Sequence, residues 1–298
     1  MKNHSYISMQ QDMPDQGQLQ VTVLDSASNR PVENATVRIS YTGVPDNVIE
    51  EIRTDSSGKT PMLELAAPPL EYSMKPVEQQ PYAEYTVQIQ AEGFEPKEVA
   101  GSEVLPDVLS RQPATLEASE PGESYERVVI PPHTLFYEYP PKIEEAEIKP
   151  VNETGEIVLS KVVVPEYIVV HDGPVRDSSA ENYYVPYRDY IKNVASSEIY
   201  ATWPDDTIRA NVLAIMSFTL NRVYTEWYRN KGYDFTITSS TAFDHKWIPE
   251  RNIYDTISVI VDELFADYLS RPNVKQPILT QYCDGRQVQC PNWMTFLL

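Results

Sequence analysis

The chain has 298 residues, which is enough for two domains that each bury a core of their own. Its hydrophobic content of 41% and mean hydropathy of −0.41 are those of an ordinary soluble protein. The formal net charge of −20 argues against nucleic acid and anionic membrane surfaces as partners, because both repel an acidic chain. Two cysteines are too few for a disulfide-dense secreted scaffold.

The first segment, residues 1–16, is polar and is predicted to be a mobile tail. It lacks the apolar core of a secretory signal, and no apolar run in the chain approaches the length that spans a bilayer. The sequence therefore does not predict a cellular location.

Residues 17–117 contain short alternating segments separated by turn signals. Alternation is clear over 19–25 and 85–91, and Asp55-Ser56-Ser57-Gly58 is a turn signal. This spacing predicts a small antiparallel β-sandwich. The order V-x-V-x-D, R-P-V-E-N-A-T-V, T-D-S-S-G-K and Y-T-V-Q-I-Q-A-E-G-F resembles a carboxypeptidase regulatory-like domain. The resemblance implies a transthyretin-like sandwich that serves as a spacer, a stabiliser or a docking module for a protein partner.

Residues 118–160 are rich in proline and glutamate, and their proline pairs predict an extended, semi-rigid linker. Residues 161–298 are predicted to form a second, mainly helical α+β domain. A strand is expected over 161–170, a helix begins at Pro204 and ends before Gly232, and another runs over 253–268. Short strands are expected over 235–238 and 278–282. The whole chain is therefore assigned to the α+β class.

One carboxylate lies at the end of an otherwise apolar helical stripe. Tyr190, Val194 and Glu198 are four residues apart, with Ile191 and Ala195 beside them. Burial and the negative end of a helix both raise the pKa of a carboxyl group, and a general acid must hold its proton near neutral pH. The alternative is a Glu198 that turns to solvent at the helix end.

The segment around Glu198 resembles the signature of the stage II sporulation protein D family. Asp189-Tyr190-Ile191, Val194-Ala195, Glu198-Ile199 and Trp203-Pro204 are in register with that signature, and residues 208–214 follow as the start of its alanine-rich helix. The resemblance covers roughly residues 185–290. It implies cleavage of the glycan strands of peptidoglycan, with no required cofactor. Glu198 is followed by Ile-Tyr-Ala-Thr where the family has Met-Pro, which alters the turn behind the acid.

A single prominent acid fits lytic transglycosylation better than hydrolysis by two carboxylates. In the lytic reaction the C6 hydroxyl of the sugar attacks its own anomeric carbon. Glu198 can protonate the leaving oxygen and then accept the proton of that hydroxyl. Neighbouring side chains are candidates for binding sugar, although each also has a structural interpretation. The candidates are Tyr190, Tyr200, Trp203, Arg209, Asn211, Ser217, Ser240 and Thr241.

Cys283 and Cys290 lie seven residues apart, where the family has a Cys-Gly-Gly-like turn. Some members of the family hold zinc through Cys and His, so Cys283, Cys290 and His245 are candidate zinc ligands. Three ligands are fewer than the four of a closed structural site. A disulfide and two unpaired thiols are the alternatives.

The family's domain continues past the cysteine region, so the second domain is expected to be truncated at its C-terminus. Without a signal, the protein would reach a wall, a spore or a particle by another route. Two other functions are therefore considered alongside lytic cleavage. One is non-catalytic binding of peptidoglycan or enhancement of an amidase, and the other is a structural role in a spore layer or a phage-tail-like particle.

Overall fold

The computed structural model describes residues 13–75, 77–119, 125–145, 158–283 and 294–295. The chain divides into two compact units. The N-terminal unit comprises residues up to Pro132 together with Ala201–Trp203 and Pro249–Thr256, and the C-terminal unit comprises the rest. The fold is α+β and contains mixed β-sheets, which confirms the predicted class. No helix of the described residues is long and apolar enough to cross a bilayer.

The elements are numbered in chain order. The strands are β1 (Asp15–Asp25), β2 (Thr36–Tyr41), β3 (Val48–Arg53), β4 (Leu63–Ala67), β5 (Ala83–Gln90), β6 (Lys97–Val104), β7 (Leu109–Leu116), β8 (Glu126–Val129), β9 (Tyr167–His171), β10 (Asn182–Pro186), β11 (Ile237–Thr238), β12 (Ile253–Tyr254), β13 (Tyr282–Cys283) and β14 (Met294–Thr295). The α-helices are α1 (Glu71–Met74), α2 (Tyr187–Glu198), α3 (Asp205–Tyr224) and α4 (Asp255–Leu264).

The N-terminal unit contains two sheets in a sandwich-like arrangement. Their strand orders are β12-β7-β1-β4 and β3-β2-β5-β6-β8. Along β1, Leu19, Val21 and Val23 are fully buried and alternate with more exposed polar residues, as expected of a strand with one face on a core. The predicted sheet was antiparallel, but β1 pairs with β7 and β6 pairs with β8 in parallel, so both sheets are mixed.

A β-bulge interrupts the pairing of β5 with β6. Tyr85 lies opposite Ser102 and Thr86 lies opposite Ala100, which leaves Gly101 unpaired. Gly101 has a φ of +91°, and a Cβ atom there would lie 2.6 Å from the carbonyl oxygen of Ile130. Both the conformation and the space therefore require glycine at this position.

Two segments join the N-terminal unit although the sequence assigned them elsewhere. β8 lies within the predicted linker of residues 118–160 and adds a strand to the five-stranded sheet. β12 pairs with β7, with Ile253 opposite Arg111. The predicted helix over 253–268 is consequently shorter, because its first two residues are in β12 and the helix α4 covers only Asp255–Leu264.

The C-terminal unit is built on helices α2 and α3 and a three-stranded sheet of order β10-β9-β11. Helix α2 begins after Pro186, and nine of its twelve residues are buried. Helix α3 begins after Pro204, one residue later than predicted, and its acidic first turn complements the helix dipole. It ends at Tyr224 rather than near Gly232, because Glu226 has a left-handed backbone with a φ of +47°.

The short strands of this unit also differ from their predicted bounds. β9 begins at Tyr167 instead of residue 161, and β11 is limited to Ile237–Thr238. The last predicted strand, over 278–282, is replaced by β13 at Tyr282–Cys283, which pairs in parallel with β14. These strands are short because each pairs only over the two to five residues where its partner runs alongside.

Candidate functional site

Glu198 is the last residue of helix α2, at the negative end of the helix dipole. The backbone turns away at once, since Ile199 is extended and its N–H caps the helix by donating to the carbonyl oxygen of Ala195. Glu198 is only 4% exposed, and Tyr190 and Val194 of the same stripe are fully buried. The carboxylate therefore lies in the interior of the C-terminal unit, not in solvent.

Both carboxylate oxygens of Glu198 accept hydrogen bonds. The hydroxyl of Tyr282 donates to Oε2, and the backbone N–H of Lys246 donates to Oε1 at 2.6 Å. Burial raises the pKa of Glu198, and the positive charge of Lys142 and these two hydrogen bonds oppose that rise. The pKa of Glu198 is therefore raised by burial, and a raised pKa is what a carboxyl group needs if it is to act as a general acid.

Lys142 provides a positive charge at this site. Its Nζ lies 4.8 Å from the ring centroid of Tyr282 and 4.6 Å from that of Phe218, and it donates to the carbonyl oxygen of Asp244 at 2.5 Å. The residue as a whole is partly buried, but its ammonium group is enclosed by these rings. Burial lowers the pKa of Lys142 to about 8, opposed by the negative charges of Glu198 and Asp244.

His245 lies in the same interior region. Its ring stacks on Tyr282, with centroids 5.7 Å apart, and packs against Phe218 at 4.5 Å. Its Nδ1 is 3.1 Å from the hydroxyl of Tyr190. Burial, together with the charges of Lys142 and Arg222, holds the pKa of His245 well below its ordinary value, so the imidazole is neutral at pH 7.

A buried ion network adjoins this region. Arg222 donates through Nε to Oδ1 of Asp244 at 2.7 Å and through its two terminal nitrogens to Glu145 at 2.7 and 3.0 Å. Oδ2 of Asp244 accepts from the hydroxyl of Tyr228 at 2.6 Å, and from the backbone N–H and hydroxyl of Thr238 at 2.9 and 2.7 Å. The fully buried Asp244 is thus saturated by donors, as a buried charge must be.

The three aromatic residues that were predicted to bind sugar are all buried. Tyr190 is fully buried and engages His245, while Tyr200 is 6% exposed and packs its ring against His133 with centroids 4.5 Å apart. Trp203 belongs to the N-terminal unit, where its Nε1 donates to the carbonyl oxygen of Ser73 at 2.8 Å.

The predicted polar residues all have hydrogen-bond or ion-pair partners within the protein. On helix α3, Arg209 forms ion pairs with Asp205 and Glu263 at the surface, and Asn211 and Ser217 each donate to a carbonyl oxygen one turn earlier. The hydroxyl of Thr241 donates to the carbonyl oxygen of Pro140 at 3.0 Å, and the carbonyl oxygen of Ser240 accepts the N–H of Asp244. The loop of Ser240 and Thr241 thus leads directly into the ion network.

The structure describes one of the two cysteines, Cys283, and for that residue it shows the disulfide alternative. Cys283 is disulfide-bonded, so its sulfur lacks the negative charge with which a thiolate binds zinc. Cys290, predicted with it as a zinc ligand, lies outside the described residues. His245 stacks on Tyr282 instead, and the described part of the chain contains no group of three or more His, Cys, Asp or Glu that could hold a metal ion.

The sequence missed three side chains of the site: Tyr282, Lys142 and Arg222. Tyr282 is 84 residues from Glu198 in the chain, and Lys142 lies in the segment predicted to be a linker. Neither has a local pattern that predicts contact with helix α2. Arg222 did carry a signal, because it is the one charged residue in the second half of helix α3 and a buried arginine must find a partner.

No family model and no curated protein matches the chain. Among solved structures, the chain is similar to 5-hydroxyisourate hydrolase of Klebsiella pneumoniae, at 17% identity over 35% of this chain and 92% of that chain, with a TM-score of 0.23. It is also similar to GBS52, the minor pilin of Streptococcus agalactiae, at 10% identity over 37% of this chain and 48% of that chain, with a TM-score of 0.24. The TIE protein of Bacillus anthracis matches at 15% identity over 35% of this chain and 17% of that chain, with a TM-score of 0.23. Similarities at this level carry no argument about function.

Proposed function

We propose that the protein cleaves the glycan strands of peptidoglycan by lytic transglycosylation, with Glu198 as the single general acid and base. The sequence around Glu198 supports this proposal through its resemblance to the stage II sporulation protein D signature. The observation that carries it is the carboxyl group itself, which is buried, has a raised pKa and is bonded by Tyr282 while Lys142 supplies a counter-charge. A buried carboxyl group with a raised pKa and a specific charge partner is frequent at functional sites, which supports a catalytic role for Glu198.

The proposed reaction uses one carboxyl group twice. Protonated Glu198 gives its proton to the glycosidic oxygen as the bond to the anomeric carbon breaks, and the leaving sugar departs with that bond's electron pair. The C6 hydroxyl of the remaining muramyl sugar then forms a bond to the anomeric carbon, and its proton passes to the Glu198 carboxylate. The acid is regenerated, an anhydro ring is formed, and no water is consumed.

Access for the sugar requires one partner of Glu198 to leave. The Lys246 donor is a backbone N–H fixed by its chain, whereas the Tyr282 donor is a hydroxyl at the end of a side chain. In the proposal, the glycosidic oxygen takes the place of the Tyr282 hydroxyl at Oε2. Oε1 keeps its bond to Lys246, which orients the carboxyl group.

The N-terminal unit has a separate role in this proposal. Its two mixed sheets support the proposal of a carboxypeptidase regulatory-like module. Such a module would dock a protein partner or act as a spacer or stabiliser. A protein that binds peptidoglycan or enhances an amidase without cleaving glycan is the second candidate. A structural component of a spore layer or particle is the third.

The test compares four samples on purified peptidoglycan, both intact and stripped of its stem peptides. They are the wild type, Glu198→Gln, the matched control Glu181→Gln at an exposed glutamate, and buffer. Release of soluble muropeptides by the wild type and the control, but not by Glu198→Gln, is expected. If folded wild type sediments with the wall and releases nothing, binding without cleavage replaces the proposal. If it neither binds nor cleaves, the structural role replaces it.

A further inference from the structure

We propose that Lys142 is a positioning residue of the Glu198 site, whose ammonium group stabilises the Glu198 carboxylate that forms during glycan cleavage. This inference rests on the proposed function for its catalytic part only. Lys142 lies outside the segment that resembles the sporulation family, in the proline-rich stretch that precedes the C-terminal unit's first strand. The resemblance to the sporulation family therefore does not imply any role for Lys142.

The geometry links Lys142 to Glu198 through Tyr282. The Lys142 ammonium lies 4.8 Å from the centroid of the Tyr282 ring, and the hydroxyl of the same ring donates to Glu198 Oε2. A second ring, Phe218, lies 4.6 Å from the ammonium. Cation–π contacts on two rings and a hydrogen bond to the Asp244 carbonyl oxygen at 2.5 Å fix the ammonium, so that its charge has a defined place beside the carboxylate.

The charged groups near Lys142 and Glu198 determine which carboxylate the Lys142 ammonium stabilises. Asp244 and Glu145 are both engaged by the guanidinium of Arg222. Glu198 differs from them, because its hydrogen-bond donors, the Tyr282 hydroxyl and the Lys246 backbone N–H, are neutral groups. Among the charges that act on Glu198, that of Lys142 lowers its pKa most, and the ammonium of Lys246 does so less. The pKa of Lys142, about 8, keeps the ammonium protonated at pH 7.

This arrangement serves the second half of the proposed reaction. When Glu198 has given up its proton, a carboxylate remains in a buried place where burial alone would penalise it. The Lys142 ammonium stabilises that carboxylate while the C6 hydroxyl attacks and delivers its proton. Lys142 itself contacts no reacting atom and keeps its own protons throughout.

The test measures the titration of Glu198 directly, without glycan. The protein carries glutamate labelled with carbon-13 at the carboxyl carbon, and Glu198→Gln identifies the Glu198 signal in the nuclear magnetic resonance spectrum. The variants are Lys142→Met, which removes the charge at similar length, and Lys142→Arg, which keeps the charge. The control is Lys192→Met, which removes a lysine of helix α2 that pairs with Asp262 at the surface.

Titration of Glu198 is expected at higher pH in Lys142→Met than in the wild type, and at nearly the wild-type pH in Lys142→Arg and Lys192→Met. An unchanged Glu198 titration in folded Lys142→Met would overturn the inference, whether or not the protein cleaves glycan. Lys142→Gln supplies the neutral variant if Lys142→Met does not fold.

In the glycan assay, Lys142→Met is expected to lower kcat by about 10-fold with little change in KM, and Lys142→Arg is expected to restore most of the lost kcat. If cleavage is absent in the wild type but the titration shifts as expected, the electrostatic interaction of Lys142 with Glu198 stands and the proposed function fails.

Discussion

The ion network of Asp244 offers the sharpest test of how the C-terminal unit is held together. We consider Asp244→Asn, which keeps the shape of the side chain and removes its charge. Oδ1 of Asp244 accepts from Arg222, whereas Oδ2 accepts from Tyr228 and twice from Thr238. An asparagine offers one oxygen and one NH₂ group, so either orientation directs a donor at another donor. The substitution therefore breaks the network on one side whichever way the amide turns.

The size of the effect follows from the burial of the pair. Breaking a buried ion pair by removing one partner costs about 3–5 kcal/mol, because the other charge is left uncompensated. Arg222 keeps its two hydrogen bonds to Glu145 at 2.7 and 3.0 Å, so some compensation remains. We therefore expect Asp244→Asn to lower the free energy of unfolding by about 3 kcal/mol, the lower end of that range.

The assay is urea denaturation followed by tryptophan fluorescence. One of the four tryptophans that contribute to this signal is Trp227, whose ring lies 5.1 Å from the Arg222 guanidinium. The matched control is Asp262→Asn, the same chemical change at an exposed carboxylate that pairs with Lys192 at 2.7 Å. A much smaller loss is expected there, since solvent screens exposed ion pairs. Equal losses of unfolding free energy in the two variants would refute the reasoning that burial makes the Asp244 network more stabilising than an exposed ion pair.

Two further predictions concern pH and backbone geometry. Because the pKa of Glu198 is raised in the folded state, this carboxyl group binds more protons in the folded protein than in the unfolded chain above pH 4.5, and its contribution to stability falls as pH rises through that window. Denaturation at several pH values should therefore show Glu198→Gln gaining stability relative to the wild type as pH rises, and the opposite trend would contradict the burial of this carboxyl group. Gly101→Ala should destabilise the N-terminal unit more than Gly93→Ala does. Both have positive φ, at +91° and +83°, but only at Gly101 would the new Cβ meet a carbonyl oxygen, that of Ile130. Equal thermal shifts in the two variants would contradict the close contact.

Several strands and helices could be predicted from the sequence. Alternation in residues 19–23 identified β1, and the apolar stripe ending at Glu198 identified helix α2 and its last residue. Both succeeded because side-chain periodicity reports directly on which face is buried. The bounds of α3 and α4 were less accurate. A left-handed Glu226 and the pairing of Ile253–Tyr254 with β7 depend on backbone and tertiary contacts that no short pattern encodes.

In the candidate site, too, the sequence predicted what depends on a local pattern and missed what depends on tertiary contacts. Glu198 stood out because a carboxylate on an apolar stripe contradicts its surroundings, and that contradiction is visible in the sequence. Its partners came from distant segments, Lys142 from before the unit's first strand and Tyr282 from near the end of the chain. Contacts over such separations are decided by how the elements pack. A single sequence gives no signal for them.

The most direct test of the central claim is mass spectrometry of the glycan ends formed in water enriched in heavy oxygen. Lytic transglycosylation closes an anhydro ring with the sugar's own C6 oxygen, so the new muramyl ends should be anhydro, should contain no heavy oxygen, and should be absent with Glu198→Gln. Reducing ends that carry heavy oxygen would show hydrolysis instead. The absence of any new end from folded wild type would show that Glu198 cleaves no glycan.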